Sequence, residues 1–117
     1  MADVERLASH NICYLTTTGR VTGRPHRVEI WFALKGYTLY ILHGGGIGDW
    51  VKNVLRHPMV TVTIGGSEFA GNARLLVKGE EEDALARQLL AEKYQRTEDD
   101  LDEWLATATA LAVDLVT

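Results

Sequence analysis

Apolar and polar residues alternate along several short stretches of this chain and recur at helical spacing in others. Ile12 to Thr18 is rich in β-branched and aromatic residues and reads as a strand. Arg27 to Leu34 sets Val28, Ile30, Phe32 and Leu34 on one face and Arg27, Glu29 and Trp31 on the other. That pattern predicts one half-buried strand whose polar face can meet a ligand. Lys35-Gly36 turns the chain into a third strand, Tyr37 to Leu42. Met59 to Ile64 is a fourth, with Val60, Val62 and Ile64 on one face and threonines on the other. Gly65-Gly66 leads to a fifth, Glu68 to Val77, and Ala110 to Val116 is the last.

Val4, Leu7 and Ala8 suggest a helical turn at the N-terminus. Trp50, Val51, Val54 and Leu55 form a helical stripe over Asp49 to His57, with Asp49 placed to cap it and Pro58 to end it. Glu80 to Tyr94 is a helix with Leu85, Leu89 and Leu90 inward and an acidic first turn, Glu80-Glu81-Glu82-Asp83, read as a solvated helix start that suits the dipole. Thr97-Glu98-Asp99-Asp100 resembles a capping box with Asp at its last position, and starts a helix through Trp104 and Leu105. The order β-β-β-α-β-β-α-α-β has no internal repeat and no linker. It predicts a mainly β (α+β) domain over residues 1–117: a small closed or split barrel with one crossover helix and two C-terminal helices over one opening.

The densest chemistry lies where the first strand turns into the second. Gly19 and Gly23 are four apart, a spacing that lets the backbone turn with its N–H groups pointing one way. Arg20, Arg24, His26 and Arg27 fall within the same eight positions. A plain hairpin needs no such density of cations. Guanidinium groups stay charged and bind phosphate or carboxylate bidentately, so Arg20, Thr22, Gly23, Arg24, His26 and Arg27 form a candidate anion cradle. The competing reading has Arg24 or Arg27 pairing with the acidic C-terminal helices.

Charge distribution supports an anionic ligand in the first two thirds. Residues 1–78 hold nine Lys/Arg against five Asp/Glu, and residues 79–117 hold three against eleven, within a net charge of −4. An acidic chain with no long basic stripe argues against nucleic acid. No apolar run reaches the ~18 residues that a membrane span needs, and the N-terminus lacks a signal peptide's apolar core. The lone Cys13 fits a reducing cytoplasm and reads as an inert buried thiol.

A second candidate segment is His43-Gly44-Gly45-Gly46-Ile47-Gly48. It fails the spacing of the phosphate-binding glycine motifs, but it follows a strand and enters a helix, where free N–H groups receive flat or anionic groups. Trp50 and Asn53 are neighbours on that helix. Asn53 has poor helix propensity, so its amide is expected to bond backbone or ligand, and Trp31 could floor a planar ring. The four histidines show no metal-ligand spacing, and no Ser-His-Asp or paired-carboxylate arrangement is present. A cradle without acid–base machinery suggests that a cofactor carries the chemistry.

The set Leu15-Thr16-Thr17-Thr18-Gly19-Arg20-x-Thr22-Gly23-x-Pro25, then Gly44-Gly45, then Trp50-x-x-Asn53-x-x-x-x-Pro58-x-Val60-x-Val62 resembles the deazaflavin-dependent nitroreductase and quinone reductase family, from about Ile12 to Arg74. The resemblance implies a six-stranded antiparallel split β-barrel related to the FMN-binding reductases, and coenzyme F420 as cofactor. It places Arg20 and Thr22 at the phosphate and anionic tail. His26 to Trp31, Val28 among them, would lie along the deazaflavin, with His43, Gly44 and Gly45 near the ring. Trp50 and Asn53 would hold the cofactor from the crossover helix. Tyr94 falls where family members place substrate-pocket tyrosines and is the candidate proton donor or pocket wall. Val21 stands where a lysine is common, and Arg24 could supply that charge. The expected activity is hydride transfer from reduced F420 to a quinone, enone or nitro compound by a cytoplasmic homodimer. The alternatives are an FMN-dependent reductase on the same fold and a non-catalytic carrier of flavin, deazaflavin or haem.

Overall fold

The computed structural model describes residues 5–44, 48–94 and 102–116. A 3-10 turn at Glu5–Ser9 precedes strands β1 (Cys13–Thr18), β2 (Pro25–Ile30), β3 (Ala33–Lys35) and β4 (Thr38–His43). Helix α1 (Asp49–Arg56) crosses to β5 (Met59–Ile64) and β6 (Ser67–Leu75). Helices α2 (Glu81–Tyr94) and α3 (Asp102–Thr107) lead to β7 (Thr109–Leu115). The helix expected to start at Thr97–Asp100 has that start outside the described residues.

All seven strands pair antiparallel in one sheet of order β2-β1-β5-β6-β7-β4-β3. Its two edge strands, β2 and β3, are consecutive in the chain and joined only by Trp31-Phe32. Three Cα steps reach about 11 Å at most, so the sheet must curl until its edges meet. The result is a split barrel with its seam at Trp31-Phe32.

That seam accounts for the one difference in strand count. The single strand expected over Arg27 to Leu34 is two strands. Its inward face persists through the break, since Phe32 is fully buried in the barrel core while Val28, Ile30 and Leu34 pack against that core. What changes is the partner: β2 pairs with β1, and β3 pairs with β4. Between them the Phe32 peptide leaves both ladders, and helix α2 satisfies it. The Phe32 N–H donates to the Tyr94 hydroxyl at 3.0 Å, and the Phe32 carbonyl accepts from Lys93 Nζ at 2.9 Å. A buried peptide left without partners would cost a few kcal/mol, so Lys93 and Tyr94 make the break tolerable.

Two apolar layers hold the barrel. Leu15, Leu39, Ile41, Val62, Ile64, Leu111 and Val113 fill the inside, where α1 adds Val51 and Val54. On the outer face of β3, β4 and β7, Ala33, Leu42, Ala110 and Ala112 lie beneath Ala86 and Leu90 of α2 and Leu105 of α3. β4 and β7 are therefore buried on both faces, which explains their near-continuous apolar sequences. Alanines on the outer face let the helix backbones approach closely.

The acidic start of α2 is not simply solvated. Arg74 makes a bidentate contact with Glu82 at 2.6 and 2.7 Å and also binds Asp114. Asp83 is buried, accepts the Gly79 N–H at 3.3 Å and pairs with Arg87 at 3.0 Å. The arginines that pair with the C-terminal part are thus Arg74 and Arg87. Arg24 and Arg27 have no carboxylate partner among the described residues. No helix among those residues is long and apolar enough to cross a membrane.

Candidate functional site

The turn from β1 to β2 is closed from within. Gly19 N–H donates to the Arg24 carbonyl at 2.7 Å, Gly23 N–H to the Gly19 carbonyl at 2.9 Å, and Arg24 N–H to Thr22 Oγ1 at 3.2 Å. Gly23 has φ +75°, a left-handed conformation that favours glycine. The N–H groups of both glycines, expected to point at a ligand, are therefore spent on the turn itself.

Helix α1 fixes that turn. Asn53 is 4% exposed. Its Oδ1 accepts the Arg20 backbone N–H at 3.1 Å and Arg20 Nη1 at 3.0 Å, and its Nδ2 lies 3.4 Å from Thr17 Oγ1 on buried β1. The poorly helical Asn53 does bond something specific, namely the arginine of the turn. Arg20 Nη1 also donates to the Asp49 carbonyl at 3.3 Å, and its Nη2 lies 3.5 Å from the Asp49 carboxylate. Asp49 was expected to cap α1. Gly48 holds the cap position without a side-chain bond, and Asp49 opens the first turn beside Arg20.

The turn, β2 and the start of α1 enclose a cleft of about 400 Å³, lined by Gly19, Arg20, Val21, Thr22, His26, Arg27, Val28, Asp49, Trp50 and Asn53. Seven expected residues thus converge: Arg20, Thr22, His26, Arg27, Val28, Trp50 and Asn53. Gly23 and Arg24 complete the turn without lining the cleft. Arg27 lies over the Tyr14 ring, 4.1 Å from its centroid, which steadies the guanidinium by a cation–π contact.

His43 sits behind the cleft wall. Its Nδ1 accepts the Trp50 indole N–H at 3.1 Å, and the two rings meet edge to face at 5.2 Å. Burial holds the imidazole below its ordinary pKa, so it is neutral near pH 7 with its proton on Nε2. His43 therefore sets the orientation of Trp50. A Cβ at Gly48 would lie 2.7 Å from His43 Nε2, which explains a glycine before α1. Gly45 lies outside the described residues.

Trp31, Gly44 and Tyr94 are not brought to the cleft. Trp31 stacks on Tyr94 at 4.4 Å and 5° and meets the edge of Trp104 at 5.6 Å. A Cβ on Gly44 would come within 2.9 Å of Trp104. Tyr94 is buried at the seam, its hydroxyl 2.7 Å from the Asn11 carbonyl and 3.0 Å from that of Phe32. Burial pushes its pKa up to about 12, which suits a structural bond rather than proton delivery at neutral pH. Beside it Lys93 is held down to about 8 by burial, and Cys13 is pushed up to about 12 by the same cause. Cys13 is thus a buried, protonated thiol.

Two contributors escaped sequence reasoning. Asp49 lines the cleft, and its i,i+4 spacing from Asn53 was the available signal. Lys93 serves the seam, which no local pattern marks. Among the described residues no three His, Cys, Asp or Glu side chains converge as a metal site would require.

The family profile for F420H(2)-dependent quinone reductase matches residues 2–111. The chain belongs to the F420H2-dependent quinone reductase family. It is an oxidoreductase, and coenzyme F420 is its cofactor. Among solved structures it is similar to an F420-H2 dependent reductase, with 24% identity, 88% of this chain and 93% of that one covered, and a TM-score of 0.69. An F420 reductase aligns at 17% identity over 97% and 93% of the two chains with a TM-score of 0.68. The haem storage protein HutZ of Vibrio cholerae aligns at 14% identity over 98% and 89%, with a TM-score of 0.73. These likenesses show a shared fold. No curated protein matches the chain.

Proposed function

We propose that the cleft between the β1–β2 turn and α1 holds the anionic end of F420, and that this chain catalyses reduction of a small electrophile such as a quinone, an enone or a nitro compound. The observation that carries this reading is the convergence of Arg20, His26 and Arg27 on one cleft whose turn is braced by a buried asparagine. Two guanidinium groups and an imidazole are a donor set for phosphate and carboxylate, which the ribityl phosphate and glutamate tail of F420 present.

When bound, reduced F420 supplies a hydride from C5 of its ring. The chain's own residues bind, orient and exclude water. Arg20 and Arg27 grip the anionic end, with Thr22, whose hydroxyl can still donate, beside them. Val28 and Trp50 offer apolar walls to the ring, and His43 holds Trp50 in place. Orientation of this kind raises the rate without requiring a proton from the wall.

The lone, buried Cys13 supports a reducing cytoplasmic setting. A homodimer is supported by the outer sheet face, where Thr16, Thr61 and Ala70 lie in one cross-strand row beside exposed Met59. Light scattering measures that state directly.

The test is anaerobic mixing of the protein with reduced F420 and a quinone. The expected result is protein-dependent oxidation of F420 over many turnovers, with no turnover when reduced FMN replaces it. Tight FMN binding without F420 binding would move the chain to the flavin reductases. F420 binding without turnover of quinone, enone or nitro acceptors would make it a carrier.

A further inference from the structure

The cleft wall carries one carboxylate among the described residues, that of Asp49, and it faces the arginine that closes the turn. Arg20 is held unequally on its two edges. Nη1 sits 3.0 Å from Asn53 Oδ1, on a side chain buried in the barrel wall. Nη2 reaches the Asp49 carboxylate at 3.5 Å, long for a charge-assisted bond, which runs about 2.7–2.9 Å. The Asp49 side chain is 89% exposed, and no other hydrogen bond or ion pair holds its carboxylate among the described residues. An exposed pair of this kind is weak and readily exchanged. The inner edge of Arg20 is thus fixed, and the outer edge is lent to a carboxylate that can swing into water.

We propose that Asp49 is a specificity-determining residue: its carboxylate occupies the outer edge of Arg20 until an anionic group of the ligand displaces it, so that the charge a ligand carries decides whether it is retained. This rests on the reading of the cleft as the seat of the anionic end of F420. A phosphate meets Arg20 bidentately, which Asp49 at 3.5 Å does not, and so wins the exchange. A neutral ligand leaves the Arg20–Asp49 pair intact. Removing the Asp49 carboxylate leaves the outer edge of Arg20 free, so it strengthens binding of anionic ligands that use that edge while leaving neutral ones unchanged.

The test is fluorescence titration of F420 into wild type, Asp49→Asn, Arg20→Gln and the double variant. Asp49→Asn is expected to tighten F420 about three- to fivefold, in the range of an exposed ion pair. In the Arg20→Gln background the gain falls below about 1.5-fold, because the displaced pair no longer exists. The deazaflavin riboside that lacks phosphate binds both single-site forms of residue 49 equally. Unchanged F420 affinity in Asp49→Asn, or an equal gain in both Arg20 backgrounds, overturns the role of Asp49. Pyrophosphate, followed by amide chemical shifts in the turn and α1, repeats the test without the coenzyme. Pyrophosphate that binds more tightly to Asp49→Asn, in a protein that ignores F420, overturns the cofactor reading and leaves Asp49 as stated. Failure of both ligands to bind wild type overturns both.

Discussion

Two places in the barrel use a helix to hold an irregular stretch of backbone, and they end in opposite states. At the β1–β2 turn, α1 supplies Asn53, which takes the Arg20 N–H and one edge of its guanidinium, while the other edge faces a cleft. At the β2–β3 seam, α2 supplies Tyr94 and Lys93, which take both polar groups of the Phe32 peptide beneath a stack of Trp31 on Tyr94. The turn keeps cations in reach of water and has donors to spare. The seam holds its half-buried cation against backbone and a Phe32 ring 3.7 Å away. Similar parts therefore border an open cleft in one place and close a clasp in the other. The difference lies in whether the cations face the cleft or the backbone.

That contrast can be broken by substitutions that act on one region and spare the other. The largest effect is expected for Arg20→Gln, which removes a charge-assisted bidentate contact worth about 1.5–3 kcal/mol, so F420 affinity falls by about 10- to 100-fold in a fluorescence titration. Its urea midpoint stays near that of wild type, because Asn53 Oδ1 keeps the Arg20 backbone N–H and the turn stays braced. Tyr94→Phe does the reverse. It leaves the Phe32 N–H and the Asn11 carbonyl short of a partner and costs about 1–3 kcal/mol in urea denaturation, with F420 affinity within about twofold of wild type. A Tyr94→Phe protein of full stability that fails to turn over a quinone would instead place Tyr94 in catalysis.

Lys93 sharpens the comparison through pH. Its folded pKa is depressed to about 8 by burial, so between about 8 and its ordinary value near 10.5 the unfolded chain binds more protons. Stability contributed by this group therefore rises with pH from about 8. Cys13, raised to about 12, works in the opposite direction above its ordinary value near 9. Near pH 8, where the unfolded Cys13 thiol is still mostly protonated, Lys93 dominates, and Lys93→Met is expected to abolish the rise there in pH-dependent urea melts. The smallest effect belongs to Glu82. Arg74 holds its carboxyl down to about 2, so its stabilisation is present above the ordinary carboxylate range and is lost as pH falls through about 2. Both partners are more than a third exposed, so Glu82→Gln should cost less than about 1 kcal/mol at pH 7.

Much of the fold was legible because the period-2 signal is local. β5 falls on its expected bounds, Met59–Ile64, and most other elements shift by one or two residues. The seam was not legible. Val28, Ile30, Phe32 and Leu34 keep one inward face across it, and only the change of partner strand reveals the break. The cleft was legible in composition, since Arg20, His26, Arg27, Trp50 and Asn53 meet there as their types suggested. Its wiring was not. The glycine amides close the turn, Asn53 braces Arg20, and Asp49 faces the cleft, all consequences of where α1 packs. Tyr94 and Trp31 misled for a related reason. Aromatic residues serve a pocket or a clasp equally well, and only tertiary placement separates the two.

The structure of this protein with F420 bound tests the central claim most directly. The phosphate is expected within hydrogen-bonding distance of Arg20 and Arg27, with the Asp49 carboxylate turned away and the seam at Tyr94 unchanged. A coenzyme seated elsewhere, with Arg20 still on Asn53 and Asp49, would contradict it.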